Sequence, residues 1–541
     1  MFMKRIILFL GALAFVLSLE AYPGKVVKMF SAPGNFSTGL TFDGKYLWLA
    51  DRQTDLLYQI NPDNGKVVKT LSAPGYWVVG LAWDGNYLWA VDERNGIPKG
   101  DEYFNGKLYK IDPKTGTVLR TVELPFKKPQ DIAWDGHYFW TVDAATRKLI
   151  MFDPSDGTTI KEFTAPSPYC TGLTFDGEYL WITDHIRNEL YMVDPDNGNV
   201  LIITSTPDEF ARGLAFDGKY LWIDDSQSDK IYKVVRKDND RLIKTNERRA
   251  LLTFNNDAMD YGPGKVKSFD FFIAIPENRD NQQIIGDIQF EPQPAEILTD
   301  QWGQKVARFH YENIGPGQQV HAVMKVKAYM YDVNYFIWPD KVGTLKDIPE
   351  SAKKYLQDGN KFDYHNPIIQ HAVKEAVGNE QNVYWIVRDI FDYVRKHLYY
   401  ERVGGWNTAP TVLARGNGSC SEYSFVFIAM CRAAGVPARY VGSIAERGEK
   451  ASMDEVYHRW VEVYMPGYGW IPVDPSGGDR DLPADQARYI GHLSNRFLIT
   501  TQGGGNSKYL EWTYNSNVRY VTEPKTFVTT EAYGDWQPIE K

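Results

Sequence analysis

The sequence predicts a multidomain, strand-rich chain: an all-β propeller of five or six blades, then a β-sandwich, then an α+β unit. Three observations predict this. A unit of about forty residues recurs five times between residues 24 and 240, strand-like alternation without repetition continues to about residue 338, and helical periodicity takes over after Pro339. At 541 residues the chain is too long for one hydrophobic core. The expected boundaries are 1–21 for a signal peptide, 22–245 for the propeller, 246–338 for the sandwich and 339–541 for the α+β unit.

Lys4 and Arg5 precede the apolar run 6–19, which is short for a membrane span and reads as a secretory signal. The mature protein is therefore expected to be secreted, periplasmic or extracellular, with an uncleaved N-terminal anchor as the alternative. No membrane contact beyond this signal is expected. The net charge of −9 offers no broad basic surface for phosphates, so nucleic acid is excluded as a partner class. Three cysteines, Cys170, Cys420 and Cys431, are too few for a disulfide framework. Cys420 and Cys431 would stand about 16 Å apart along one helix, beyond the reach of a disulfide.

The repeats are marked by Phe42-Asp-Gly-Lys-Tyr-Leu-Trp48, Trp83-Asp-Gly-Asn-Tyr-Leu-Trp89, Trp134-Asp-Gly-His-Tyr-Phe-Trp140, Phe175-Asp-Gly-Glu-Tyr-Leu-Trp181 and Phe216-Asp-Gly-Lys-Tyr-Leu-Trp222. The closing tryptophans recur at 41, 51, 41 and 41 residues, the long interval reflecting an inserted loop near Gly96 to Gly106. Asp-Gly makes a hairpin turn because glycine tolerates positive φ, and the flanking alternation supplies the strands. The segment 26–33 copies a unit's last strand ahead of the first complete unit, so it can close a five-bladed ring. If 241–245 is instead the last blade's own fourth strand, a sixth blade is required. Asp51, Asp92, Asp143, Asp184 and Asp225 each follow a marker tryptophan by three residues. They can form a carboxylate ring around a cation or fix local turns, and their regular recurrence favours the turns.

Alternation in 265–275 and 321–331, with Gly, Pro and Asn between the runs, predicts an antiparallel sandwich that carries no chemistry. Beyond it, 349–356, 367–377 and 382–398 have helical spacing, with Tyr384, Ile386, Val387, Ile390, Phe391 and Val394 on one stripe. His365, His371 and His397 lack metal-ligand spacing and are expected at the surface or in packing.

Ser419 with Glu422 forms a capping-box pattern that starts a helix, and Gly435 with Pro437 ends it. Cys420 then sits in the first turn, where unpaired N–H groups and the helix dipole favour thiolate and could bind an oxyanion. His458 projects from an alternating strand 454–465, and Asp474 ends a second strand after the turn Pro466-Gly-Tyr-Gly469. Simple hairpin counting sets Asp474 opposite Val461, on the wrong face for His458, so a bulge or a longer crossover is required.

Gly418-Ser-Cys-Ser-Glu-Tyr-Ser424, Arg432-Ala-Ala-Gly-Val-Pro-Ala-Arg-Tyr-Val441, His458-Arg-Trp-Val-Glu-Val-Tyr464 and Gly469-Trp-Ile-Pro-Val-Asp-Pro-Ser476 together resemble the transglutaminase-like superfamily core of papain-like cysteine enzymes. The resemblance covers roughly 383–476, less than a fifth of the chain. It implies an α+β papain-like core with Cys420 as nucleophile, His458 as general base and acid, and Asp474 as orienting acid. Arg459, where the family often has a small residue, and Ser476, where it often has Thr, depart from the pattern. Trp406 and Trp460 either line the acyl site or pack. The expected function is exported acyl transfer on protein or peptide amides through a Cys thioester, with the propeller as the binding module. One alternative is a cysteine peptidase or amidase with the same three residues. The other is a binding or scaffold protein with a vestigial catalytic domain. The expected substrate is a protein or peptide, cell-wall peptide included, and the expected propeller partner is a protein or glycan. No cofactor and no metal site is expected.

Overall fold

Each marker motif closes a β-hairpin because one aspartate satisfies three donors. In the first repeat Asp43 Oδ1 accepts from the N–H groups of Lys45 (2.9 Å) and Tyr46 (2.7 Å), and Oδ2 accepts from Trp48 Nε1 (2.8 Å). The carboxylate-to-indole bond recurs at Asp84–Trp89 (2.7 Å), Asp135–Trp140 (3.0 Å), Asp176–Trp181 (2.7 Å) and Asp217–Trp222 (2.9 Å). The tryptophans are buried, so the indole N–H needs this partner.

The computed structural model describes residues 22–93, 105–402, 406–446, 453–454 and 457–540. The expected signal segment 1–21, most of the insert near Gly96 to Gly106, and 455–456 of the expected strand 454–465 lie outside these residues.

The repeats form five four-stranded antiparallel sheets. Their innermost strands, Ser37–Phe42, Val78–Trp83, Pro129–Trp134, Cys170–Phe175 and Ala211–Phe216, touch one another in cyclic order, with the fifth returning to the first. Val26–Ser31 pairs antiparallel with Lys230–Val235 and supplies the fifth sheet's fourth strand. The propeller thus has five blades and is closed by its own N-terminal strand. The sixth-blade alternative falls because Leu242 opens a 19-residue strand, Leu242–Asp260, in the sandwich. At the hub four blades place glycine on the inner strand. A Cβ on Gly39 would lie 2.7 Å from Gly80 Cα, closer than packed atoms allow. The third blade has Asp131 at this position, accepting from Leu81 N (3.1 Å), Ile132 N (2.9 Å) and Leu173 N (2.9 Å). Burial holds its carboxyl well above the ordinary carboxylate range.

The five recurrent aspartates sit in local turns. Asp51 accepts from Phe36 N (2.7 Å), Gln53 N (3.0 Å) and Thr54 N (2.8 Å), and Asp225 does the same with Phe210 N (2.6 Å), Gln227 N (3.0 Å) and Ser228 N (2.8 Å).

Two sheets face each other in the sandwich. Leu242–Asp260 lies between Gln319–Tyr335 and Val528–Pro538 in one, and Val266–Ala274 lies between Lys305–Ile314 and Ser516–Thr522 in the other. Phe254, Phe269, Phe271, Phe309, Met324 and Trp536 fill the space between them. The expected boundaries 246–338 and 339–541 therefore need correction. The last two strands belong to the sandwich, because a sheet edge pairs with whatever strand reaches it, regardless of sequence distance. The α+β unit is inserted between sandwich strands.

In that unit a four-stranded antiparallel sheet runs in the order Gly469–Val473, His458–Met465, Ala438–Ala445, Phe497–Gly503. Helices Pro367–Val377, Val383–His397 and Cys420–Ala433 pack into one core with it. The propeller docks directly on this unit. Arg187 forms a bidentate pair with Asp485 (2.7 and 3.2 Å), and Arg488 pairs with Glu189 (2.5 Å). The buried Arg388 donates to Asn199 Oδ1 (2.9 Å) and the Val200 carbonyl (3.3 Å). Ala484 and Ala487 are buried against Tyr191, Val193 and Val200.

Asp176, whose side chain is fully buried, also accepts from Arg236 Nη1 (2.6 Å). Asp176→Ala strands the indole, backbone and guanidinium donors, and we expect a stability loss of about 3 kcal/mol in denaturant unfolding. A loss under about 1 kcal/mol would show that the repeat aspartate is not what holds the hairpin.

Candidate active site

The helix Cys420–Ala433 begins where the sequence puts it. Ser419 and Glu422 form the reciprocal capping box, with Glu422 Oε2 accepting from Ser419 N (3.1 Å). Glu422, fully buried, also binds Arg415 Nη2 (3.1 Å) and Asn407 N (3.0 Å), so one carboxylate ties three segments to the helix start. At the other end Gly435 (φ +88°) turns the chain left-handed, with Gly435 N bonded to Arg432 O (3.0 Å) and Val436 N to Cys431 O (2.8 Å). This is a Schellman closure, and it places Pro437 where the helix cannot continue. Every side chain from Cys420 to Arg432 is buried, so the helix is a central post.

Cys420 is the helix's first residue and is 8% exposed. His458 opens the strand His458–Met465, opposite Ser443 on the neighbouring strand. Its ring stacks on Phe497 (centroids 5.4 Å) and tilts against Trp460 (5.7 Å). Nε2 of His458 lies 2.7 Å from Asp474 Oδ2. Cys420 and His458 interact through hydrogen bonding and charge, and the Arg459 backbone N–H favours the thiolate as well. Asp474 Oδ1 is held by Ser476 Oγ (2.8 Å), Ser476 N (3.1 Å) and Gly477 N (3.0 Å). Ser476 thus secures the carboxylate through its hydroxyl, which a Thr would also supply.

The register expected from simple counting is corrected here. Met465 pairs with Gly469 and Val461 with Val473, so the loop is three residues long, 466–468, rather than four. Gly467 (φ +91°) and Gly469 (φ +85°) take the left-handed conformations that so short a loop demands. Asp474 then continues opposite Trp460, on the face of His458. No bulge is needed, since a one-residue shift exchanges the two faces of a strand.

Charge and burial oppose each other at all three groups. Burial alone would raise the Cys420 thiol pKa, but the hydrogen bond and charge of His458 outweigh it, and the thiol ends below its ordinary value. Burial also disfavours the imidazolium, yet Asp474 and Cys420 push the His458 pKa well above its usual range. Asp474 ends low despite burial, through His458 and the donors at Gly477 and Ser476. The arrangement favours a thiolate–imidazolium pair backed by a carboxylate. Cys431 and Cys170 behave differently. Both are buried, and burial pushes the Cys431 thiol up and the Cys170 thiol to about 12.

A cavity of about 400 Å³ opens beside His458, Trp460 and Asp474. Its far walls come from Glu189 and Ser205 of the propeller and Asp332 of the sandwich. No motif in the sequence marks these residues or Phe497, since the cavity walls meet the site only after the modules dock and Phe497 reaches His458 only through the sheet they share. Trp460 is 2% exposed and packs on His458 and Phe497, while Trp406 lies over Arg459. His371 pairs with Glu375 on the surface, and His397 stacks on Tyr393. Among the described residues no group of three or more His, Cys, Asp or Glu is placed to hold a metal ion.

The chain is 30% identical over 151 residues to the uncharacterized protein YebA of Bacillus subtilis, covering 26% of this chain and 18% of that protein. It is 34% identical over 76 residues to an uncharacterized protein of Haemophilus influenzae, covering 10% and 20%. The chain thus spans a fifth or less of the length of these curated relatives. Among solved structures it is similar to a candidate cysteine protease from Cytophaga hutchinsonii (14% identity, TM-score 0.38, 54% of this chain and 92% of that one). It is also similar to virginiamycin B lyase from Staphylococcus aureus (21% identity, TM-score 0.25, 37% and 66%). The family model for the transglutaminase-like superfamily matches residues 370–475, a span that contains Cys420, His458 and Asp474. Residues 370–475 of this chain are a transglutaminase-like superfamily domain.

Proposed function

We propose that the chain is an exported cysteine enzyme that transfers acyl groups from protein or peptide amides through a thioester on Cys420. The observation that carries this reading is the Cys420–His458–Asp474 constellation, with Nε2 of His458 2.7 Å from Asp474 Oδ2 and the sulfur at the first residue of a helix. The Cys420 thiolate attacks the amide carbonyl carbon, and the carbonyl electrons move to oxygen. His458 gives its proton to the departing amine as the C–N bond breaks, leaving a thioester. An incoming amine, deprotonated by His458, then displaces sulfur and regenerates the thiolate. Backbone N–H groups at the helix start are the donors for the oxyanion. Export rests on the basic and apolar pattern of residues 1–21.

The propeller serves as part of the substrate-binding surface. Glu189 and Ser205 wall the cavity that His458 and Asp474 also line, so a substrate group seated beside the imidazole and carboxylate meets propeller side chains.

Incubating the purified protein with glutamine-containing peptides and a fluorescent primary amine, while following ammonia release, separates the outcomes. Amine incorporation is expected. Ammonia or peptide release without incorporation would replace acyl transfer with hydrolysis. If Cys420→Ala retains full activity, the site is not catalytic.

Cys420 should alkylate with iodoacetamide at a midpoint below the free-thiol value of about 8.5. The rate of turnover should fall below the Cys420 pKa, where the thiol is protonated, and above the His458 pKa, where the general acid is lost. Asp474→Asn should reduce kcat by about 10²- to 10⁴-fold.

Ser205→Trp, which places a ring in the cavity from the propeller side, should raise KM for peptides several-fold and leave Cys420 alkylation unchanged. An unchanged KM would remove the propeller from substrate binding.

A further inference from the structure

Arg459 is fully buried, yet no carboxylate lies within ion-pair distance of it among the described residues. Its guanidinium is enclosed by four rings, those of Tyr514 (4.2 Å to the centroid), Tyr440 (4.6 Å), Trp406 (5.0 Å) and Phe425 (5.3 Å). Nη2 donates to the Trp512 carbonyl (2.6 Å), while Nε and Nη1 have no hydrogen-bond partner. A buried guanidinium with two unpaired nitrogens and no counter-carboxylate is costly, and aromatic faces offset only part of that cost. Phe425 lies in the second turn of the helix that Cys420 begins.

We propose that Arg459 is a positioning residue whose charge balances the Cys420 thiolate, so that the buried site is neutral in its reactive form. Thiolate, imidazolium and the Asp474 carboxylate sum to one negative charge, and the guanidinium cancels it. This deepens the function proposed above and rests on Cys420 being the nucleophile. Arg459 follows His458 on one strand, so the two cationic side chains leave opposite faces of the backbone, while the Arg459 N–H favours the thiolate and the guanidinium feels the charge of the sulfur. The other titratable groups around the sulfur contribute no free charge. Glu422, on the same helix, is paired with Arg415 at 3.1 Å. Tyr514 and Tyr440 are phenols whose pKa values burial raises to about 12, Tyr514 with a further contribution from Cys420. Salt-bridge and hydrogen-bond partners therefore leave Cys420, His458, Asp474 and Arg459 as one four-charge set.

The test is the pH dependence of Cys420 alkylation by iodoacetamide in the full chain, which needs no substrate. In Arg459→Met and Arg459→Gln, with folding checked by circular dichroism, the midpoint should rise by about one pH unit, a tenfold fall in thiolate at a pH below both midpoints. Arg459→Lys, which keeps the charge, should stay close to wild type even if its Tm drops. Equal midpoints in wild type and a folded neutral variant would overturn the assignment. If both neutral variants fail to fold, Cys420→Ser supplies the second measurement. With the sulfur anion gone the buried guanidinium loses its balancing charge, so Tm at neutral pH should fall, and an unchanged or higher Tm overturns the proposal. A wild-type midpoint at the free-thiol value would instead defeat the activated-cysteine reading itself.

Discussion

The hydrogen bond between His458 and Asp474 depends on a loop of three residues. With Met465 opposite Gly469, every pair in the hairpin keeps the same register, and the carboxylate emerges on the imidazole's face. One more residue in that loop would turn Asp474 into the opposite layer, leaving His458 without its partner and Cys420 without a charged base. The left-handed glycines at 467 and 469 are the local expense of this register. The site's electrostatics therefore trace to backbone geometry some distance from the sulfur.

A second constraint is burial. The helix is buried from Cys420 to Arg432, so Cys420 and Glu422 at its start depend on protein partners more than on water to stabilise charge. Each charged atom there has a fixed protein partner instead: Glu422 has Ser419, Asn407 and Arg415, and Asp474 has Ser476, Gly477 and His458. Such preorganised dipoles act without reorganising during a reaction, which is why a buried site can support charge development. Arg459 belongs to the same pattern once the sulfur is counted as an anion.

The modules are interlocked. The sandwich is completed by Ser516–Thr522 and Val528–Pro538 from beyond the α+β unit, and the propeller meets that unit through Arg187–Asp485, Arg488–Glu189 and the buried Arg388. The cavity beside His458 and Asp474 is a product of this docking, with one wall from each module.

Local chemistry made much of this legible in the sequence. The five Asp-Gly repeats, the closing strand at 26–31, the capping box around Cys420 and the Gly435 stop all depend on contacts within a few residues or on strict periodicity, and each can be read from residue types alone. The sequence also singled out Arg459 and Ser476 as departures, without saying what they touch. Tertiary structure decided the rest. It set the hairpin register that delivers Asp474, the stacking of Phe497 on His458, the aromatic enclosure of Arg459 and the return of the last two strands to the sandwich. These are pairings between residues far apart in the chain, selected by complementary surfaces and sheet edges after collapse, and no short-range pattern of residue types encodes them.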